Sequence, residues 1–357
     1  MRLAAPVLAA LCAALLLAAP AQARSVPRGW LGVQADGPLT EPGNPFASEW
    51  GLMAASGVEN VRVAFDWRAA QPVAGGPIDF SGMDGAVVAA AQQRLPVLPV
   101  VHRTPAWAAT RPADGGASPP RGTAAYTAFL TALVGRYGPN GSLWTDVPAL
   151  PRVPIRAWQI WNEPNLTRYW SSQPFAKPYV RLLRASRRAL RAADPGSRTI
   201  LAGLPNESWI ALRKIYKAGG RGAFDVVALH PYTGRPRNVV KLIEFARREM
   251  RRYRDGRKPV WLTEISWPAS KGKTKTGAPQ FVTTERGQAS RLKRVLPLLV
   301  KSRKRLKIQR VIWYTWLSRE GSPSSFAWSG LRRLRGSELV SARSLTVFRR
   351  AARRLAR

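Results

Sequence analysis

Two glutamates stand where carboxylates are costly. Glu163 lies in the run Trp161-Asn162-Glu163-Pro164-Asn165, at the end of an aromatic and apolar stretch. Glu264 sits inside the apolar run Val260-Trp261-Leu262-Thr263-Glu264-Ile265. An ionised carboxylate in such surroundings costs free energy unless it is hydrogen-bonded or paired. Two carboxylates brought to one cleft suit cleavage of a glycosidic bond. One protonates the leaving oxygen and the other attacks the anomeric carbon. Only two histidines occur, His102 and His230, and each ends a β-branched run. His230 is followed by Pro231-Tyr232, and an aromatic segment ends in Tyr314-Thr315-Trp316. Two histidines without a third ligand at helical spacing do not make a zinc site, so no metal is expected.

Positioning these residues requires elements. Strands are predicted at 30–35, 61–67, 96–102, 156–162, 199–204, 225–230, 259–265 and 310–316. Helical patterns lie between them, at 123–137, 177–193, 239–253 and 284–305, and a last one around 337–356 closes the chain. In 177–193, Val180, Leu183, Ala185, Leu190 and Ala193 can face inward while arginines face water, and Asp194-Pro195-Gly196 stops the helix. Eight strands, each followed by a helix, predict a (β/α)8 barrel. A doubly wound open sheet is the alternative. It lacks support because no Gly-rich phosphate loop follows the first strand, and no nucleotide cofactor is expected. Pro/Gly/Ser stretches at 70–77, 110–122, 139–154 and 269–280 read as long loops.

In a (β/α)8 barrel the site sits at the C-terminal ends of the strands. Those ends carry Arg62, His102, Asn162-Glu163, His230-Pro231-Tyr232, Glu264 and Tyr314-Thr315-Trp316, so both histidines and both glutamates would share one rim. This set resembles the clan A glycoside hydrolases, which are retaining (β/α)8 enzymes. Their acid/base Glu follows an Asn at the end of the fourth strand, and their nucleophile Glu ends the seventh. Asn162-Glu163-Pro164 and Glu264 match that pattern, 101 residues apart. The order of residues is similar to family 5, and Trp-Asn-Glu-Pro-Asn also fits family 39.

The resemblance implies roles. Glu163 would be the acid/base and Glu264 the nucleophile. Asn162 would donate to the sugar 2-hydroxyl, and Tyr232 and Arg62 would hold Glu264 ionised. His102 and His230 would bind substrate hydroxyls or tune Glu163. Trp316 would be the platform under the sugar, and the Trp316–Leu317 peptide would be cis. Retention implies carboxyls about 5–5.5 Å apart. Strand alternation puts 312, 314 and 316 on one face, so Tyr314 competes with Trp316 for the platform. An ion pair with Asp66 or another barrel acid competes for Arg62. Trp67, Trp107, Trp170, Trp267 and Trp328, in or beside rim loops, are candidates for further sugar subsites or for loop packing.

Composition bounds the rest. The chain has 357 residues, 45% of them hydrophobic, enough for a sizeable core. Arg2, the apolar stretch 3–19 and Ala21-Gln22-Ala23 form a signal-peptide pattern, so residues 1–23 are expected to be removed and 24–357 to form one secreted catalytic domain. The only cysteine, Cys12, lies in that leader, so the mature chain has no disulfide. No second segment could span a membrane. The net charge is +37, and residues 166–357 hold 45 basic against 10 acidic residues. The excess recurs at helical spacing and reads as solvated helix faces, with weak association to acidic cell-surface polymers as its sharper consequence. No nucleic-acid module is visible, the expected partner is a carbohydrate, and a monomer is expected. A non-catalytic glycan- or polyanion-binding barrel is the competing function. It has no need of two intact carboxylates.

Overall fold

The computed structural model describes residues 24–41, 43, 45–274 and 279–357. The expected signal peptide, 1–23, lies outside the described residues.

Nine parallel strands form one sheet: β1 (Leu31–Gln34), β2 (Val61–Asp66), β3 (Val97–His102), β4 (Ala157–Ile160), β5 (Arg198–Ile200), β6 (Leu204–Pro205), β7 (Val227–His230), β8 (Val260–Ile265) and β9 (Ile308–Trp313). Their order is β5-β4-β3-β2-β1-β9-β8-β7-β6. The two edges, β5 and β6, are halves of one interrupted barrel strand, predicted as 199–204. Bridges Asn162–Gly203 and Ile200–Val226 join this segment to its neighbours and close the ring. The result is the (β/α)8 barrel.

The helices are α1 (Ser48–Ala55), α2 (Trp67–Ala70), α3 (Ser81–Gln92), α4 (Ala124–Tyr137), α5 (Leu143–Asp146), α6 (Ala176–Ala193), α7 (Ser208–Lys217), α8 (Pro236–Arg252), α9 (Glu285–Leu306) and α10 (Arg343–Leu355). In α6, Val180, Leu183, Ala185 and Leu190 are buried as the spacing predicts, but Ala193 in the last turn is exposed. Thr284 caps α9 by accepting from the Gly287 amide at 3.1 Å. Leu292, Val295, Leu296, Leu299 and Leu306 turn inward, while Arg286, Lys293, Arg294 and Lys301 are exposed. Much of the basic excess therefore sits on solvated outer helices. No helix among the described residues is long and apolar enough to cross a membrane.

The last helix is shorter than the predicted 337–356. A small sheet intervenes after β9, made of β10 (Leu317–Arg319), β11 (Arg332–Arg335) and β12 (Glu338–Ser341). β10 runs parallel to β11, and β11 antiparallel to β12. Buried Glu49 of α1 anchors it, accepting from Arg332 at 2.9 Å and from Trp316 Nε1 at 2.7 Å.

The core has two compartments. One belt fills the space between strands and helices. A second cluster, Leu98, Ile200, Val226, Ala228, Trp261 and Ile312, plugs the barrel interior. Two residues beyond Ala157, Ala228 and Trp261 the inward positions are polar: Gln159, His230 and Thr263. The plug is the floor on which the site rests.

Candidate active site

The rim of the barrel opens into a cavity of about 640 Å³. Glu163 and Glu264 both line it, 3% and 8% exposed. Two local devices aim them. After β4, Trp161 (φ 70°) and Glu163 (φ 42°) adopt left-handed backbone, which costs side-chain-bearing residues energy and is met where surroundings over-determine it. The surroundings here are packed aromatics. The Trp161 indole is buried, donates to the Tyr169 carbonyl at 2.7 Å and packs edge-on against Trp170. On β8 the register against β9 shifts between Leu262 and Ile265, three steps against two. Such a bulge re-aims side chains. Thr263 and Glu264 thereby both reach the polar interior.

Glu264 is held by two donors. Arg62 Nη1 donates to Oε1 at 2.7 Å and the Tyr232 hydroxyl donates to Oε2 at 2.8 Å. Burial works to raise this carboxyl. The electrostatic pull of His230 and Arg62, with the Tyr232 and Arg62 hydrogen bonds, outweighs it and holds Glu264 below the ordinary carboxylate range. Arg62 is itself fixed by Gln34 and Gln159, each at 2.7 Å. Its Nη2 donates to Asn162 Oδ1 at 2.9 Å. That bond fixes the amide orientation and keeps the Asn162 Nδ2 donor for the cavity.

Glu163 accepts from His230 Nδ1 at 2.7 Å on Oε1 and from Arg168 Nη2 at 3.2 Å on Oε2. A carboxylate oxygen can only accept, so His230 Nδ1 carries a proton; Nε2 lies 3.0 Å from Thr263 Oγ1, which also accepts from Gln159 Nε2 at 3.2 Å. The imidazole is fully buried and lies over Gly203, where a Cβ would sit 1.9 Å from Nε2. Only glycine fits there.

Glu163, His230 and Glu264 offer ligand atoms within 4.8 Å of one another, the one such cluster found among the described residues. Each of the four carboxylate oxygens already accepts one hydrogen bond, and Arg62 and Arg168 lie at 2.7 and 3.2 Å. That field favours an anionic or hydroxyl-rich ligand over a cation.

The structure brings together Arg62, His102, Asn162, Glu163, Tyr232 and Glu264 around the cavity, with His230 directly beneath. Asp66, the alternative partner of Arg62, pairs instead with Arg103 at 3.1 Å. His102 is half-buried, and burial holds its imidazole down at about 4.

Trp316 does not line the cavity. It is fully buried, with its Nε1 on Glu49. β9 ends at Trp313, so the alternation argument stops there and the chain turns away toward β10. Tyr314 lines the cavity in its place, and the cis peptide joins Tyr314 to Thr315, not Trp316 to Leu317. The five rim tryptophans also pack inward or against loops. Trp67, Trp170, Trp267 and Trp328 are buried, and Trp107 packs edge-on against Trp67. None of the five lines the cavity; its aromatic surface is Tyr169, Tyr232, Tyr314, Phe281 and Phe326.

Sequence reasoning also missed Gln34 and Asp36, Arg168 and Asn206. Gln34 and Asp36 could have been found, since polar residues two apart at the end of an apolar strand share the inward face. Burial pushes Asp36 up to about 6, against a 2.8 Å hydrogen bond from Thr315. Arg168 and Asn206 sit in loops that strand patterning does not reach.

No protein-family model matches the chain, and no curated protein does. Solved structures match it at low identity. A family 39 glycoside hydrolase from the gut symbiont Bacteroides cellulosilyticus WH2 is 20% identical, with a TM-score of 0.65 over 92% of this chain and 64% of the other. A monomeric beta-xylosidase from Caulobacter crescentus CB15 is 19% identical, with a TM-score of 0.67 over 92% and 68%. A GH5_18 protein from Streptomyces cattleya, solved in complex with Manb1-4GlcNAc, is 17% identical, with a TM-score of 0.66 over 91% and 80%. The chain thus spans just under two thirds of the length of the first of these. Its fold is the (β/α)8 barrel that these structures share.

Proposed function

We propose that the protein is a secreted retaining glycoside hydrolase that cleaves β-glycosidic bonds of a polysaccharide or oligosaccharide by double displacement. The observation that carries this reading is the carboxylate pair at the barrel mouth. Oxygens of Glu163 and Glu264 lie within 4.8 Å of one another. Retaining enzymes hold their carboxyls about 5–5.5 Å apart, and inverting ones about 6.5–9.5 Å to admit a water.

The two environments divide the labour. Glu264, kept ionised by Arg62 and Tyr232, attacks the anomeric carbon. Glu163 gives a proton to the leaving oxygen as the C–O bond breaks. In the second step Glu163 takes a proton from water, and the hydroxide displaces Glu264 from the sugar. Asn162 Nδ2 donates to the 2-hydroxyl, a contact that strengthens in the transition state. His102 and Asp36 offer further contacts to sugar hydroxyls, and Tyr314 offers an aromatic face. Residues 1–23 would direct export and be removed before the enzyme acts.

The test is hydrolysis of a panel of aryl β-glycosides and of plant and bacterial polysaccharides, with Glu163→Ala and Glu264→Ala beside wild type. Glu264→Ala should be inactive on every substrate. Glu163→Ala should retain activity only on 2,4-dinitrophenyl glycosides, whose leaving group needs no proton. The first-formed sugar should keep the β configuration by NMR. Wild type that cleaves nothing, or two variants with full activity, would sink the proposal.

A further inference from the structure

Both oxygens of Glu163 are occupied by nitrogen donors. His230 Nδ1 holds Oε1 and Arg168 Nη2 holds Oε2. A general acid needs one oxygen that carries a hydrogen aimed at the leaving group. A guanidinium has donors only, so the lone pair it holds on a carboxyl oxygen can carry that hydrogen only once the guanidinium moves off. His230 is fully buried and fixed by Thr263. Arg168 has a side chain 61% exposed, on the loop after β4, with its guanidinium stacked 4.9 Å from the Tyr169 ring. Arg168 is therefore the partner that moves.

What takes the guanidinium when it moves is set by charge. Arg62 and Arg168 are the cations lining the cavity, and Arg62 is buried with four acceptors. Separating Arg168 from Glu163 is favourable when an anion replaces the carboxylate. Residues 166–357, where Arg168 lies, hold 45 basic against 10 acidic residues, a field that draws anionic polymers.

We propose that Arg168 is a specificity residue on the leaving-group side of the scissile bond, and that the unit bound there carries a carboxylate, sulfate or phosphate. The inference rests on the retaining glycosidase reading above. The anion takes the Arg168 guanidinium off Glu163 Oε2. Oε2 then holds a proton, taken first from solvent. As Glu264 bonds the anomeric carbon and the C–O bond breaks, that proton passes to the leaving oxygen and the acidic unit departs as an alcohol. Arg168 stays cationic throughout and returns to the Glu163 carboxylate. In the second step the attacking water restores the proton to Glu163 as its hydroxide frees Glu264.

The experiment compares 4-nitrophenyl with 3-carboxy-4-nitrophenyl β-glycosides of xylose, glucose and mannose, near-equal leaving groups that differ by one carboxylate. Wild type should favour the carboxylate probe by about tenfold or more in kcat/KM, a preference that shrinks as salt rises. Arg168→Ala should lose the preference, with unchanged Tm, because its side chain is exposed. Arg168→Lys should restore part of it. The groups facing Glu163 are His230 of β7, Tyr232, Glu264 of β8, and Arg168 and Tyr169 of its own loop. Removing the one exposed cation among them should move the alkaline limb of the pH profile to higher pH, which a merely structural loop residue would not do. Equal rates on both probes in wild type, or a preference retained in Arg168→Ala, would overturn the proposal while leaving the glycosidase reading intact. Hydrolysis of none of the probes and of nothing in the wider panel of glycosides and polysaccharides would overturn both.

Discussion

Gly203→Ala is a small change with a large expected consequence. Gly203 interrupts the fifth barrel strand, and its missing side chain leaves the space that His230 occupies. A Cβ there would lie 1.9 Å from Nε2, 2.4 Å from Cε1 and 2.5 Å from Cδ2. An ordinary carbon–nitrogen contact is about 3.4 Å, so ring and backbone must separate by about 1.5 Å. The ring cannot give that distance freely. Its two nitrogens bond Glu163 at 2.7 Å and Thr263 at 3.0 Å from different edges, so a shift that keeps one lengthens the other. The backbone cannot give it either, because the Gly203 carbonyl accepts from the Glu163 amide at 3.2 Å. Overpacking costs about 1–3 kcal/mol and a stranded buried polar group a similar amount. A net loss of about 2–4 kcal/mol lowers Tm by about 3–6 °C in a chain of this size. Displacing the acid/base by about 1 Å should lower kcat/KM by at least about 10²-fold. Gly135, exposed within α4, is the control, because a Cβ there would meet no atom within 4 Å. Gly135→Ala should raise stability by up to about 1 kcal/mol and leave kcat/KM alone. Calorimetry and aryl-glycoside kinetics read both variants. Wild-type Tm and wild-type rate in Gly203→Ala would refute the packing of His230 over Gly203.

Other perturbations follow from the same geometry. Arg62→Met removes the cation 2.7 Å from Glu264 and should cost about 3–5 kcal/mol at neutral pH. In wild type the lowered Glu264 carboxyl contributes stability above the ordinary carboxylate range, lost as pH falls; in Arg62→Met the order should invert, with Tm recovering as Glu264 protonates. Asp36, raised to about 6, opposes folding once pH exceeds its unfolded value near 3.8. Asp36→Asn should therefore raise stability at pH 7, by up to about 3 kcal/mol, and not at pH 4, as paired melts would show. Trp316→Phe should lower stability by about 1–3 kcal/mol through its lost bond to Glu49, with kcat/KM unchanged, while Tyr314→Ala should lower kcat/KM.

The sequence by itself determined the barrel, its eight strand positions and the two glutamates. Alternating hydrophobicity and helical spacing are local, and a carboxylate inside an apolar strand is conspicuous without any neighbours. Arg62 was legible for the same reason, as a charged residue inside an apolar strand, while the role of Tyr232 came from the resemblance. What the tertiary structure alone decided concerns places where the chain leaves its period. The bulge in β8 lets Thr263 and Glu264 both reach the interior, which strict alternation forbids. The end of β9 at Trp313 sends Trp316 to Glu49 and leaves Tyr314 at the cavity. Gly203 is an ordinary glycine until His230, 27 positions later, is folded over it. Arg168 reads as one arginine among many basic residues until the left-handed turn at Glu163 brings the two within 3.2 Å. Each of these depends on contacts between segments far apart in sequence, or on a backbone turn that hydrophobic patterning does not encode.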